Sequence, residues 1–158
     1  MSFAFHQADR QCHNGQVKSV LALALALAAA GCFSRSAPEE CVGDSDCGGD
    51  ECARTGECIE SGTAIRVVVE WTIAGGAPSE ESCAPISELG VLFYDGDRED
   101  ASYIPIPCSI ARTVYDKMPP RLTRVELFAY DDAGGVIDSG GGMLESSGET
   151  VIAVDLQP

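Results

Sequence analysis

From Thr63 onward the chain alternates. Ile65, Val67, Val69, Trp71 and Ile73 take every second position, with Arg66, Glu70 and Thr72 between them. A period of two with one apolar face is the pattern of a half-buried β-strand. The same alternation, or a short apolar run rich in β-branched and aromatic residues, predicts further strands at 89–94, 102–106, 110–115, 123–130, 136–144 and 150–156. Turn residues separate them: Asp95-Gly96-Asp97, Pro119-Pro120, Asp131-Asp132-Ala133-Gly134-Gly135 and Ser146-Ser147-Gly148. Seven short strands between residues 63 and 158 predict an all-β domain, a seven-stranded antiparallel β-sandwich. Pro105 and Pro107 cannot donate to a ladder, which places the 102–106 strand on an edge. Gly140-Gly141-Gly142 predicts a weak or bulged sixth strand.

Upstream the pattern disappears. Residues 41–60 hold Cys41, Cys47, Cys52 and Cys58 in a stretch rich in Asp, Glu and Gly with few apolar side chains. So short and polar a piece cannot bury a core and must be cross-linked. Three pairings are open to four cysteines. A four-cysteine zinc site is the rival arrangement, although zinc motifs usually carry tighter C-x2-C pairs.

The opening of the chain has a third pattern. Residues 20–30 read VLALALALAAA, followed by Gly31 and Cys32, with Lys18 just before the run. Eleven apolar residues are too few to span a bilayer as a helix, which takes about 20. They fit the apolar core of an export signal ending in small residues. Ala29-Ala30-Gly31-Cys32 resembles the lipobox of bacterial lipoproteins, with Ala29 where that family prefers Leu. The resemblance implies lipidation of the Cys32 sulfur and cleavage just before it. Phe33 after the lipid site, rather than Asp, resembles the outer-membrane sorting class of the same family. The polar segment 1–16, with Cys12, His6 and His13, makes a poor leader, and Val17 is the expected true start. The expected organisation is a signal peptide at 1–31, a tether at 32–40, a disulfide-rich knot at 41–60 and the sandwich at 63–158.

Apart from Cys12 and Cys32, six of the eight cysteines remain, an even number in an exported chain. The spacing Cys41-x5-Cys47-x4-Cys52-x5-Cys58 resembles small EGF-like or Dickkopf-like cysteine-rich repeats, a resemblance covering about 18 residues. It implies the pairs Cys41–Cys52 and Cys47–Cys58. A third pair, Cys83–Cys108, is expected from topology. If consecutive strands run antiparallel, the connections carrying these two cysteines lie at the same end of the sandwich. Closing that loop contributes about 3 kcal/mol by the chain-entropy model. Lys117-Met118-Pro119-Pro120, the strand after it and the Asp131–Gly135 turn resemble prealbumin-like carrier or stalk domains, with Arg121-Leu122 in place of their Gly-Tyr step. An immunoglobulin-like strand order is the alternative.

Composition excludes more than it assigns. A net charge of −15 leaves no basic face for nucleic acid and no polybasic hold on anionic lipid. Beyond Cys32 there is no histidine, and Lys117 is the only lysine. That rules out Ser-His-Asp, Cys-His and His-bearing zinc chemistry in the exported part and leaves Lys117 alone for a Ser-Lys dyad. Asp44, Asp46 and Asp50 in the knot, and Asp95 and Asp97 with Glu99 and Asp100 in a later turn, are weak calcium candidates. Their spacing does not complete an EF-hand, and solvated loop acids are the plainer reading. Trp71 on the apolar face of the first strand is expected in the core rather than as a sugar-stacking platform. The expected role is a non-catalytic, membrane-anchored lipoprotein of the cell envelope, in the outer membrane, with a protein or glycan partner. No cofactor beyond the lipid on Cys32 is expected. A carbohydrate- or calcium-binding module is the first alternative, and a hydrolase working through carboxylates alone the second.

Overall fold

The computed structural model describes residues 40–158. The expected signal peptide, Cys12, the lipid site Cys32 and all of the tether but Glu40 lie outside the described residues. Among the described residues there is no α-helix. The nine strands of the described residues form three sheets. β1 (Glu51–Cys52) and β2 (Cys58–Ile59) make a small hairpin within the cysteine-rich segment. The other seven are β3 (Ile65–Ile73), β4 (Glu88–Asp95), β5 (Arg98–Ile106), β6 (Arg112–Met118), β7 (Arg124–Tyr130), β8 (Val136–Met143) and β9 (Glu149–Leu156). They build a three-stranded sheet, β6-β3-β9, packed sandwich-like on a four-stranded sheet, β5-β4-β7-β8.

The core is where the alternation put it. Val67, Val69, Trp71 and Ile73 from β3 meet Leu89, Val91 and Phe93 from β4, Val125, Leu127 and Ala129 from β7, and Ile152, Val154 and Leu156 from β9. The outer face of β3 is less simple. Val68 is fully buried there, level with Val114 on β6 and Val151 on β9. On one side of this apolar row Arg66 bridges Asp116 and Glu149; on the other Arg112 pairs with Glu70.

The expected wholly antiparallel sandwich is not what forms. β9 runs parallel to β3, in register from Arg66 opposite Glu149 to Ile73 opposite Leu156. Alternation marks a strand and its buried face but says nothing of its partner. After β8 the chain changes sheets, and β9 fills the free edge of β3 in the direction in which it arrives. A parallel neighbour needs a long crossover, supplied here by everything from β4 to β8.

Two further expectations change. The 110–115 strand begins later, at Arg112, because Cys108–Ile110 bends into a 3-10 turn closed by Ala111 in the left-handed region, φ 59°. The glycine triplet is not bulged. Gly140, Gly141 and Gly142 pair in unbroken register with Leu127, Glu126 and Val125, and the irregularity lies further along, where Tyr130 meets Val136. The glycines answer to crowding instead. A Cβ on Gly140 would stand 2.6 Å from Val154 Cγ1, and one on Gly142 would stand 2.8 Å from Ile152 Cδ1. The sheets close on each other at these two positions because β8 brings no side chain there. The 102–106 strand is an edge, as Pro105 requires, and extends back to Arg98 across a two-residue turn with Gly96 at φ 60°.

Candidate functional site

Chemistry-bearing residues gather where the cysteine-rich segment meets the sandwich. The structure brings the six cysteines together as Cys41–Cys52, Cys47–Cys58 and Cys83–Cys108. The sulfurs of Cys41, Cys47 and Cys52 do crowd together, but as disulfides they have no thiolate to give a metal. The zinc arrangement therefore falls.

Cross-links alone do not orient the knot. The Arg54 N–H donates to the Lys117 carbonyl (2.8 Å) at the end of β6. The Arg54 guanidinium lies 5.2 Å from the ring centre of Tyr103 and 5.5 Å from that of Tyr115, within cation–π range. Lys117 Nζ donates to both carboxylate oxygens of Asp44, at 2.8 and 2.7 Å. That ion pair lifts the Lys117 ammonium above its ordinary range and holds the Asp44 carboxyl below its own, helped by the Cys52 N–H. A lysine acting as base needs the opposite shift, so the one lysine beyond Cys32 serves to dock the knot.

The strongest hub is Arg121. Its guanidinium takes Glu57 of the knot (2.8 Å) and, from the other side, both oxygens of Asp100 on β5 (2.8 and 2.9 Å). Asp95 lies at the margin of the same network, 3.4 Å away. The carboxylates hold Arg121 well above the usual arginine range. Asp100 is the most enclosed partner, with its side chain 10 % exposed. Two of the four acids Asp95, Asp97, Glu99 and Asp100 thus find a cation in Arg121 and not in their neighbour Arg98.

The weak calcium candidates are put to other uses. Asp44 faces Lys117, Asp46 accepts from the N–H groups of Val42 and Gly43, and Asp95 faces Arg121. Asp50 sits in an exposed turn and Asp97 at the tip of the β4–β5 hairpin. Among the described residues no three carboxylates bring their oxygens close enough together to hold one ion, and Glu57, Asp95 and Asp100 instead share the Arg121 guanidinium. A cleft of about 510 Å³ runs between knot and β6, lined by Val42, Asp44, Arg54, Asp116 and Lys117 among others. It carries both signs of charge.

At the opposite end of the sandwich, Cys83–Cys108 staples the β3–β4 connection to the β5–β6 connection. Trp71 holds the latter twice, its indole N–H donating to the Cys108 carbonyl (2.8 Å) and its backbone N–H to that of Ala111 (3.0 Å). Trp71 is buried, so it offers no ring face to a ligand.

Under the knot, Phe93, Tyr103 and Tyr115 form an aromatic cluster with edge and tilted contacts of 4.7–5.9 Å between ring centres. Burial pushes the Tyr115 phenol up to about 12 and raises Tyr103 as well. An unfolded tyrosine ionises at about 10. The stability that the neutral Tyr115 contributes is therefore complete below that pH and is lost as pH rises toward about 12. Tyr115→Phe is expected to move the alkaline unfolding transition to higher pH, read by far-UV circular dichroism beside tyrosinate absorbance. An unmoved transition would assign the alkaline loss to other groups.

Sequence reasoning missed Arg54 and Arg121, whose partners lie far along the chain and leave no local signature. Set beside known proteins, the chain matches no family model, and the comparison with curated proteins gave no match either.

Proposed function

We propose that this chain is exported, cut before Cys32 and held by lipid on that cysteine in the bacterial cell envelope, where its sandwich works as a non-catalytic binding or assembly domain. The carrying observation is that all six cysteines between Cys41 and Cys108 are paired. Such a framework persists in oxidising compartments and is rare in the cytosol. It agrees with the export signal read at 1–31 and the lipobox ending in Cys32. Phe33 favours the outer membrane. The knot, in spacing and pairing alike, resembles an EGF-like or Dickkopf-like repeat, and the sandwich a prealbumin-like or immunoglobulin-like domain.

The docking of the knot refines the role. Arg54, Lys117 and Arg121 fasten it to one end of the sandwich, which makes it a fixed base instead of a loose spacer. The anchor lies nine positions before Cys41, so the knot is the folded part nearest to it along the chain. The end stapled by Cys83–Cys108, opposite the knot, is the one offered to a partner.

Intact mass of the protein extracted from membranes tests this reading. The expected species begins at Cys32, carries a diacylglyceryl group and lacks six cysteine hydrogens. A water-soluble, unacylated product with free thiols would refute it.

A further inference from the structure

Two sheets have four edges, and a bare edge offers unpaired N–H and C=O groups to any extended chain. Three of the edges here are guarded. β5 carries Pro105 and the charged run Arg98-Glu99-Asp100. β6 carries Arg112, Asp116 and Lys117, and its end is taken by Arg54 of the knot. β9 carries Glu149 and Asp155, the latter bonded to Thr72 and Gly75. β8 is the least guarded of the four. It reads VIDSGGGM, pairs among the described residues only with β7, and contains no Lys, Arg or Pro. Its one charge, Asp138, is engaged by the Gln157 N–H. Val136 and Met143, 55 % and 68 % exposed, flank the glycines.

We propose that the free edge of β8 docks a second copy of this chain, β8 against β8 and antiparallel, about a two-fold axis at Gly140. The strand fits itself. A two-fold axis normal to the sheet keeps each residue on its own face, so the register must centre on a residue, not on a gap between two. Centred on Gly140, Ser139 faces Gly141 of the other copy, Asp138 faces Gly142, and Met143 faces the irregular step at Val136-Ile137. No acid meets an acid across the new ladder, and the exposed apolar ends meet each other. The result is one continuous eight-stranded sheet. Long-range repulsion between two chains of net charge −15 opposes the approach, so screening by salt strengthens the contact. A basic partner on the same edge would be weakened by salt. The inference does not depend on the lipid anchor.

The full chain, expressed in cells with the photo-crosslinking residue p-benzoylphenylalanine at Ser139, tests this. Expected is a light-dependent species of two chains that survives reduction, with the adduct mapping to β8 of the second copy. The same probe at Asp97, on the far hairpin, should give none. Adding Ser139→Lys to a chain probed at Met143 should abolish the adduct, while near-ultraviolet circular dichroism of the purified variant reports whether it is still folded. For the purified protein, sedimentation should show the two-chain fraction rising with salt. An adduct to a different protein, no adduct at all, or a two-chain fraction that falls with salt overturns the proposal. Loss of acylation in the intact mass would refute the anchor and leave this result standing.

Discussion

Trp71→Ala is expected to lower the stability of the domain by about 4 kcal/mol, the range for deleting a large buried aromatic side chain. Trp71 is 3 % exposed, fills the core opposite Val154 of β9 and is the donor that satisfies the Cys108 carbonyl. Trp71→Phe separates the two roles. It keeps most of the ring but leaves that buried carbonyl without its partner, at a cost of about 1–3 kcal/mol. Replacing Cys83 and Cys108 together by alanine frees the same connection and removes about 3 kcal/mol by loop entropy. Both changes release one segment, so they should not add: the triple variant should lose less than the sum of its parts. Urea unfolding midpoints measure all four proteins. Strict additivity would mean that indole and disulfide hold independent structures.

The second large effect lies in the glycine triplet. Gly140→Val forces a branched side chain into the space of Val154 and should destabilise by about 3 kcal/mol, the upper range of overpacking. Val154→Ala in the same chain should restore part of that loss, because the obstacle is a side chain. Gly141→Ala differs in kind. Its Cβ would meet the backbone carbonyl of Val125, so strand β7 itself must move, and no second substitution of a side chain should rescue it. Thermal unfolding of the paired variants distinguishes the two cases. Equal rescue at both positions would contradict the geometry.

Alternation was a good guide to the core because burial is a local property of a strand. β7 and β9 read inward and outward in strict turn, and the residues expected inside are inside. The ends of the sandwich were legible too, since hairpin direction alone brings Cys83 to Cys108. Partner choice was not legible. That β9 should lie parallel to β3 depends on which edge is free after six other strands have packed, and no residue of β9 records it. Arg121 was hidden for a related reason. One arginine after two prolines looks like a solvated turn, and its meaning comes from Glu57 and Asp100, 64 and 21 positions away. The glycine triplet suggests a weak or bulged strand, whereas its use is the room it leaves for Ile152 and Val154.

The pairing of β3 with β9 sets the order of synthesis against the order of assembly. β3 is the first sandwich strand to be made, yet one whole side of it waits for the last eight-residue strand of the described chain. Contacts so distant in sequence form late. Until β9 arrives, the core-facing residues of β3 have an incomplete sheet. The three-stranded sheet therefore closes only after residues 149–156 have been made, so the sandwich is completed after the synthesis of its strands and not alongside it.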